Sequence, residues 1–162
     1  MTIKSLYTGL FLMCVTCMVQ AQSFVKVSGE VGKELKLSEA DIAKMNQTSV
    51  TLTDRDGKYH QYTGVSVLDI FNSAGVTTGK QLHAENLSKY VLVKCADGYE
   101  VLFSLAEMDT VFSKKMIILA TQADGKPLPQ GKGPFRLVVP GEGRPARSCF
   151  QVVEFVIRFA KD

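Results

Sequence analysis

Residues 133–158 read GPFRLVVPGEGRPARSCFQVVEFVIR, and this stretch decides how the last part of the chain folds. The apolar segments FRLVV and FQVVEFVIR predict two core strands, joined by a loop over residues 141–148. The loop carries Arg144 and Arg147 among glycines and a proline. It can solubilise the end of a sheet, or it can bind an anion, because guanidinium groups form bidentate hydrogen bonds with phosphate and carboxylate.

Upstream of this stretch, the chain alternates between hairpins and short helices. Ser38, Ser66 and Ser104 each precede an amphipathic segment and predict a helix start. The continuous run from Met116 to Ala120 predicts a strand buried on both faces. Three Asp-Gly pairs predict tight turns between strands: 56–57, 97–98 and 124–125. Many strands with a few inserted helices indicate an α+β fold with a mixed sheet rather than regular βαβ alternation.

The N-terminal residues have the pattern of a secretory signal peptide. Lys4 precedes an apolar segment too short to span a bilayer, and residues 19–21 read VQA, which fits a cleavage site. We therefore predict a signal peptide over residues 1–21 and one domain over residues 22–162, exported to the periplasm or the cell exterior. A lipoprotein anchor at Cys14 or Cys17 is the alternative, although no small residue precedes either cysteine.

Export leaves Cys95 and Cys149 in a compartment where disulfides can persist. Two buried free thiols and one disulfide both fit the sequence, because spacing alone does not place the two Cα atoms within bridging distance. Neither cysteine belongs to a CxxC motif, so the sequence does not suggest thioredoxin chemistry or a structural zinc site.

Composition and motifs exclude several classes of function. The net charge of +3 is too small and too scattered for a nucleic-acid surface. No phosphate-binding glycine motif, HExxH or GxSxG is present. His60 and His83 lie too far apart for a local metal motif, and Asp54 and Asp56 have the positions of turn residues. The sequence therefore assigns no catalytic residue, no metal ligand and no enzymatic activity.

Three segments in order resemble the molybdopterin-binding domain of the sulfite oxidase family of oxidoreductases. They are YTGVSVLDIFNSAGV, SKYVLVKCADGYEVLFSLAEMD, and the stretch DGKPLP followed by GPFRLVVPG and AR. The likeness covers residues 24–158 and is greatest to short, secreted, stand-alone members. It implies a mixed α+β fold that cradles a molybdopterin.

The resemblance also implies a metal ligand that this chain lacks. In the enzymes of the family, a cysteine near the end of the strand before the GVxL helix binds molybdenum. The corresponding strand here reads VTLTDRDG, with Thr53 and Asp54 near the matching place and no cysteine. Cys95 lies on a later strand and does not correspond to that ligand. A carboxylate is a poor replacement for a soft thiolate.

The resemblance implies that Arg147 contacts the cofactor. Lys132, in the neighbouring PQGKG turn, is the second position at which it implies a contact. We expect Arg144 to reach the same anion, and Gly141 and Gly143 to let backbone N–H groups approach it. Lys132 joins them if the two strand ends are adjacent.

These observations favour an exported, non-catalytic binding or accessory module with a pocket for a pterin or another anionic small molecule. One alternative is a molybdopterin-dependent oxidoreductase with atypical metal ligation. The other is a structural protein-interaction domain. Expected partners are the small molecule and a redox or envelope protein, with no nucleic acid and no transmembrane segment after signal cleavage.

Overall fold

The computed structural model describes residues 23–160, which form ten strands, two α-helices and three short 3₁₀ helices. The predicted signal peptide lies outside the described residues. The strands are β1 (Phe24–Gly29), β2 (Leu35–Ser38), β3 (Gln47–Thr53), β4 (Tyr59–Ser66), β5 (Lys89–Cys95), β6 (Glu100–Ser104), β7 (Ile118–Ala123), β8 (Lys126–Pro127), β9 (Arg136–Val138) and β10 (Val152–Phe159). The helices are α1 (Glu39–Lys44) and α2 (Val67–Ser73), and the 3₁₀ helices are Gly79–Gln81, Ala84–Ser88 and Leu105–Met108.

The strands form two sheets of five. The first sheet has the order β2-β1-β10-β5-β6, in which β1 and β10 are parallel and the other pairs are antiparallel. The second sheet has the order β3-β4-β7-β8, and β9 also pairs with β7. The predicted α+β class with mixed pairing is confirmed.

The main core joins both sheets and α2. Val27, Val65 and Leu119 are fully buried in it, and the rings of Phe71 and Phe155 meet edge to face with centroids 5.6 Å apart. Such an aromatic pair adds to the stabilisation from apolar burial. A second, smaller apolar cluster lies under the second sheet around Leu52, Tyr62, Ile118, Ala120 and Val138. That smaller cluster supports the candidate site described below.

Most of the turns and helix starts predicted from the local sequence are present in the structure. Gly57, Gly98 and Gly125 have positive φ in the three Asp-Gly turns, as glycine allows. The capping boxes at Ser38 and Ser104 are both formed. The helix after Ser66 is present, but the Ser66 side chain makes no capping hydrogen bond, so that part of the prediction is wrong.

The apolar run at residues 116–120 is buried from Ile117 onward, and β7 begins at Ile118. Met116 precedes the strand and is 38% exposed, so its predicted burial is wrong. Within residues 23–160, none of the helices combines the length and the hydropathy needed to cross a bilayer.

We predict that Phe155→Ala lowers the free energy of unfolding by roughly 3–5 kcal/mol, because Phe155 is fully buried against Phe71. Urea denaturation measures this loss. Val153→Ala, on the half-exposed neighbouring position, should cost far less. A loss below about 1 kcal/mol for Phe155→Ala would mean that the register of β10 is wrong.

Candidate functional site

A cavity of about 600 Å³ opens beside the second sheet, where β3, β4, β7, β8 and β9 end or turn. This volume is in the range of small-molecule sites. Its lining combines apolar and aromatic side chains with charged groups. The residues that determine its chemistry are Asp54, His60, Tyr62, Lys132, Arg136 and Phe150.

Arg136 is the central charge of this cavity. Its side chain is 1% exposed, and Nη1 donates to Asp54 Oδ2 at 2.7 Å and to the Tyr62 hydroxyl. Nη2 donates to Asp54 Oδ1 at 3.2 Å, and the Tyr62 hydroxyl donates to Asp54 Oδ2 at 2.7 Å. A buried guanidinium needs such a bidentate partner, because an unpaired charge is costly to remove from water. We call Asp54, Tyr62 and Arg136 the arginine clamp.

Two aromatic rings complete the surroundings of the guanidinium. Arg136 Cζ lies 4.1 Å from the ring centroid of Phe150 and 4.6 Å from that of Tyr62. These cation–π contacts stabilise a desolvated guanidinium. Arg136 Nε is buried and has no hydrogen-bond partner within the described part of the chain. The clamp therefore leaves one buried donor unsatisfied.

The surroundings within the arginine clamp determine the protonation states of Asp54 and Tyr62. The hydrogen bond from Arg136 holds the pKa of Asp54 far below its ordinary value. Burial raises the pKa of Tyr62 well above its ordinary value, and the hydrogen bond to Asp54 raises it further. Asp54 is thus a permanent anion at neutral pH, Tyr62 stays a neutral phenol, and neither has the pKa of a general acid or base.

His60 joins two turns at the rim of the cavity. Its Nδ1 lies 2.6 Å from Asp124 Oδ2, and its Nε2 lies 3.0 Å from Asp56 Oδ2. Asp124 belongs to the β7–β8 turn and also accepts a hydrogen bond from the backbone N–H of Gln61. The hydrogen bonds to Asp124 and Asp56 raise the pKa of His60. With a carboxylate partner on each ring nitrogen, His60 connects the two turns, a role that the sequence did not indicate.

Three cations at the rim remain outside the ion pairs of the described residues: Arg55, Lys126 and Lys132. Lys132 Nζ lies 5.4 Å from the Phe150 ring centroid, on the same ring that contacts Arg136. Asp54 neutralises Arg136, so Arg55, Lys126 and Lys132 stand against the carboxylates of Asp56 and Asp124, and the lining has a net charge of +1 when His60 is neutral. Such a rim attracts anions.

The loop over residues 141–148 does not contribute arginines to this cavity. Arg147 Nη2 lies 2.5 Å from Glu142 Oε1 and 3.2 Å from Glu107 Oε1, and its guanidinium lies 4.2 Å over the ring of Phe103. These contacts place Arg147 in a separate cavity of about 50 Å³. The structure therefore places Arg147 and Lys132 at different cavities, and Arg147 is paired with Glu142, five residues earlier.

Gly141, Gly143 and Arg144, which were also predicted as site residues, do not line the large cavity. Arg144 and Gly143 are exposed, and Gly141 is exposed with a φ of +74°. Of the five residues predicted from the sequence, Lys132 is the one that lines the cavity. Anion binding by the loop stays a prediction, and an anion there competes with two carboxylates for Arg147.

A family model described as the oxidoreductase molybdopterin binding domain matches residues 57–144, more than half of the chain. The chain belongs to this family. The matched range includes His60, Tyr62, Lys132 and Arg136 of the cavity. The resemblance inferred from the sequence motifs is thereby confirmed.

A solved structure has the same fold. It is the sulfane dehydrogenase SoxCD from Paracoccus pantotrophus, matched with a TM-score of 0.67 at 18% sequence identity. The match covers 86% of this chain and 39% of the SoxCD chain, so the protein spans well under half of that neighbour's length. At this identity the likeness establishes the fold alone. No curated protein matches the chain.

The donors in the cavity do not fit a thiolate-held molybdenum. Its lining contains no cysteine, and the two Asp54 oxygens already accept hydrogen bonds from Arg136 and Tyr62. Within residues 23–160, no group of three or more His, Cys, Asp or Glu side chains is arranged to hold a metal ion. The cationic rim and aromatic wall do fit the organic part of an anionic cofactor. Asp54, near the place where the family resemblance implies a cysteine, is therefore a member of the arginine clamp.

Sequence reasoning missed Arg136, Tyr62 and Phe150 as members of a site. One signal was available: Arg136 is the charged residue in the otherwise apolar segment FRLVV. A charge within a core strand is rarely buried without a partner. The identity of that partner was not readable, because Asp54 is 82 residues away along the chain.

We predict that Asp54→Ala lowers the free energy of unfolding by roughly 3–5 kcal/mol, because it leaves the buried Arg136 charge uncompensated. Urea melts measure the loss. Asp56→Ala, which removes an exposed carboxylate from the adjacent turn, should cost under about 1 kcal/mol. Equal losses in the two variants would contradict the arginine clamp.

We also predict that the pKa of His60 lies above its ordinary value and that Asp124→Asn lowers this pKa, because Asp124 is its strongest hydrogen-bond partner. Because the folded state binds the proton more tightly, the stabilisation from protonated His60 is complete below the unfolded pKa. It is lost as the pH rises through the folded pKa. NMR titration of the His60 ring measures this shift. Asp97→Asn, in the β5–β6 turn, serves as the control, and the same pKa in both variants would contradict the connector role of His60.

Proposed function

We propose that the protein is an exported, non-catalytic binding module of the molybdopterin-binding family, which takes a pterin-type or similar planar anion into the 600 Å³ cavity. The observation that carries this proposal is the arginine clamp. Asp54 stands near the place where the resemblance implies a metal ligand, and both of its oxygens accept hydrogen bonds from Arg136 or Tyr62. The family fold is thus retained, but Asp54 pairs with a buried guanidinium and is not available to bind a metal.

The composition of the cavity supports an organic anion as the ligand. Leu128, Pro127 and Phe150 supply apolar and aromatic surface for a planar body. Arg55, Lys126 and Lys132 supply charge for an anionic substituent, such as a phosphate or a carboxylate. This combination of a polar rim with an apolar wall favours ligand binding over a purely structural role.

The chemistry open to these residues is binding rather than proton transfer. Asp54 stays ionised and Tyr62 stays neutral across the physiological range, so neither exchanges a proton readily. His60 is held between two carboxylates. If a molybdopterin is bound, Lys132 and Lys126 would hold its anionic part. The chain's own residues bind the ligand and fix its surroundings.

Titration with a reduced pterin, a pterin phosphate and inorganic phosphate tests the proposal by calorimetry. We expect saturable binding of the pterin phosphate, weakened about fivefold by Lys132→Ala, which corresponds to about 1 kcal/mol for one exposed charge contact. Arg144→Ala is the matched control, since it removes an exposed cation outside the cavity, and it should bind like wild type. No saturable binding of any of the three probes, or equal weakening by both variants, would contradict the cavity as the binding site.

A further inference from the structure

Cys95 and Cys149 form a pair of thiols in the core of the protein. Both are free, and they are 6% and 4% exposed. Both belong to the main core cluster, and each thiol is the largest influence on the pKa of the other. A disulfide requires two neighbouring thiols, and the fold brings these two together although more than fifty residues separate them along the chain.

The backbone on both sides holds the two cysteines in adjacent segments. Cys95 ends β5 and pairs in register with Val152 of β10, and the N–H of Ala96 donates to the Gln151 carbonyl at 2.9 Å. On the other side, the N–H of Leu137 in β9 donates to the Cys149 carbonyl at 2.9 Å. These hydrogen bonds keep the Cys149 segment between β9 and the end of β5.

The pair adjoins the wall of the large cavity. Cys149 stands between Ser148, whose carbonyl accepts a hydrogen bond from Arg136 Nη2 at 3.5 Å, and Phe150, whose ring stacks on the same guanidinium. A covalent bond at Cys149 would tie this wall to β5. Oxidation of the two thiols to a disulfide would therefore restrain the segment that contacts Arg136.

We propose that Cys95 and Cys149 form a reversible disulfide in the folded protein, and that this pair is a thiol–disulfide exchange site next to the cavity. The oxidant is a small disulfide, RSSR, or a disulfide-carrying oxidoreductase, as expected in the compartment that the N-terminal segment predicts. The proposal does not depend on which ligand the cavity takes.

The exchange proceeds in two balanced steps. The Cys95 thiolate attacks one sulfur of RSSR, the S–S bond breaks, and RS⁻ leaves with a mixed disulfide formed on Cys95. The Cys149 sulfur, after losing its proton, attacks the Cys95 sulfur and releases the second RS⁻. Two RSH form as the released thiolates take up the two protons. The cysteines lose two electrons and RSSR gains them.

The surroundings decide which cysteine reacts first. Cys95 borders the exposed Asp97–Gly98 turn, whereas Cys149 lies between β9 and the end of β5. The interaction with Cys149 lowers the pKa of the Cys95 thiol, and the interaction with Cys95 together with burial raises the pKa of Cys149. Because an incoming disulfide approaches from the side of the turn, Cys95 is the entry point and Cys149 is the resolving thiol.

Peptide mapping after incubation with oxidised glutathione tests this inference. The folded wild-type chain is incubated, quenched with acid, alkylated and digested with trypsin, which releases residues 95–114 and 148–158 as separate peptides. We expect these two peptides to be recovered cross-linked, with the loss of both thiols. Dithiothreitol added to the folded protein should release them.

The single variants test the order of the steps. Cys149→Ser should retain glutathione on Cys95, because no resolving thiol is present, while Cys95→Ser should leave Cys149 largely unmodified. Recovery of the two wild-type peptides as free thiols, or as separate glutathione adducts without a cross-link, would overturn the proposal. Faster modification of Cys149 than of Cys95 in the single variants would overturn the assigned order.

Discussion

The burial of the Arg136 guanidinium is the constraint on which the candidate site depends. An isolated charge at this depth would be strongly unfavourable, so the fold must bring an anion to it. Asp54 does this from the end of β3, and Tyr62 from β4 donates to the same carboxylate while it receives a hydrogen bond from Arg136. One buried cation therefore fixes the relative positions of β3, β4 and β9, and with them the floor of the cavity.

The same constraint explains how this chain differs from what its family resemblance implies. The family's sheet and turn pattern is retained, and the fold matches that of a sulfane dehydrogenase structure. Near the place where the resemblance implies a soft thiolate, the hard carboxylate of Asp54 is neutralised by the Arg136 guanidinium. Hard oxygen and soft sulfur ligands favour different metals, so the exchange alters the chemistry of the position rather than its geometry alone. Under the proposed function, the rim cations that lie outside the ion pairs bind an organic anion.

The sequence was most informative where structure depends on near neighbours. The Asp56-Gly57 and Asp97-Gly98 turns and the capping box at Ser38 follow from residues a few positions apart, and each is present. The segment FQVVEFVIR predicted a core strand, and Val152 and Phe155 within it are buried, with a register shift between Val152 and Glu154. These signals rest on backbone conformation and period, which the local sequence determines.

The candidate site was less predictable because its members come from separate segments. Arg136 and Asp54 are brought together only by the pairing of β4 with β7 and of β7 with β9. Arg147 was the more conspicuous arginine in the sequence, yet Glu142 and Glu107 engage it. Whether a charged side chain is free or paired depends on partners that sequence order does not reveal.

The most direct test of the account is the cofactor content of protein purified from its native host under mild conditions. Elemental analysis measures molybdenum per chain, and native mass spectrometry measures any bound small molecule. We expect molybdenum far below one atom per chain, together with an organic anion released on denaturation. Stoichiometric molybdenum that stays with the chain through gel filtration would contradict the central claim that the arginine clamp replaces a metal ligand.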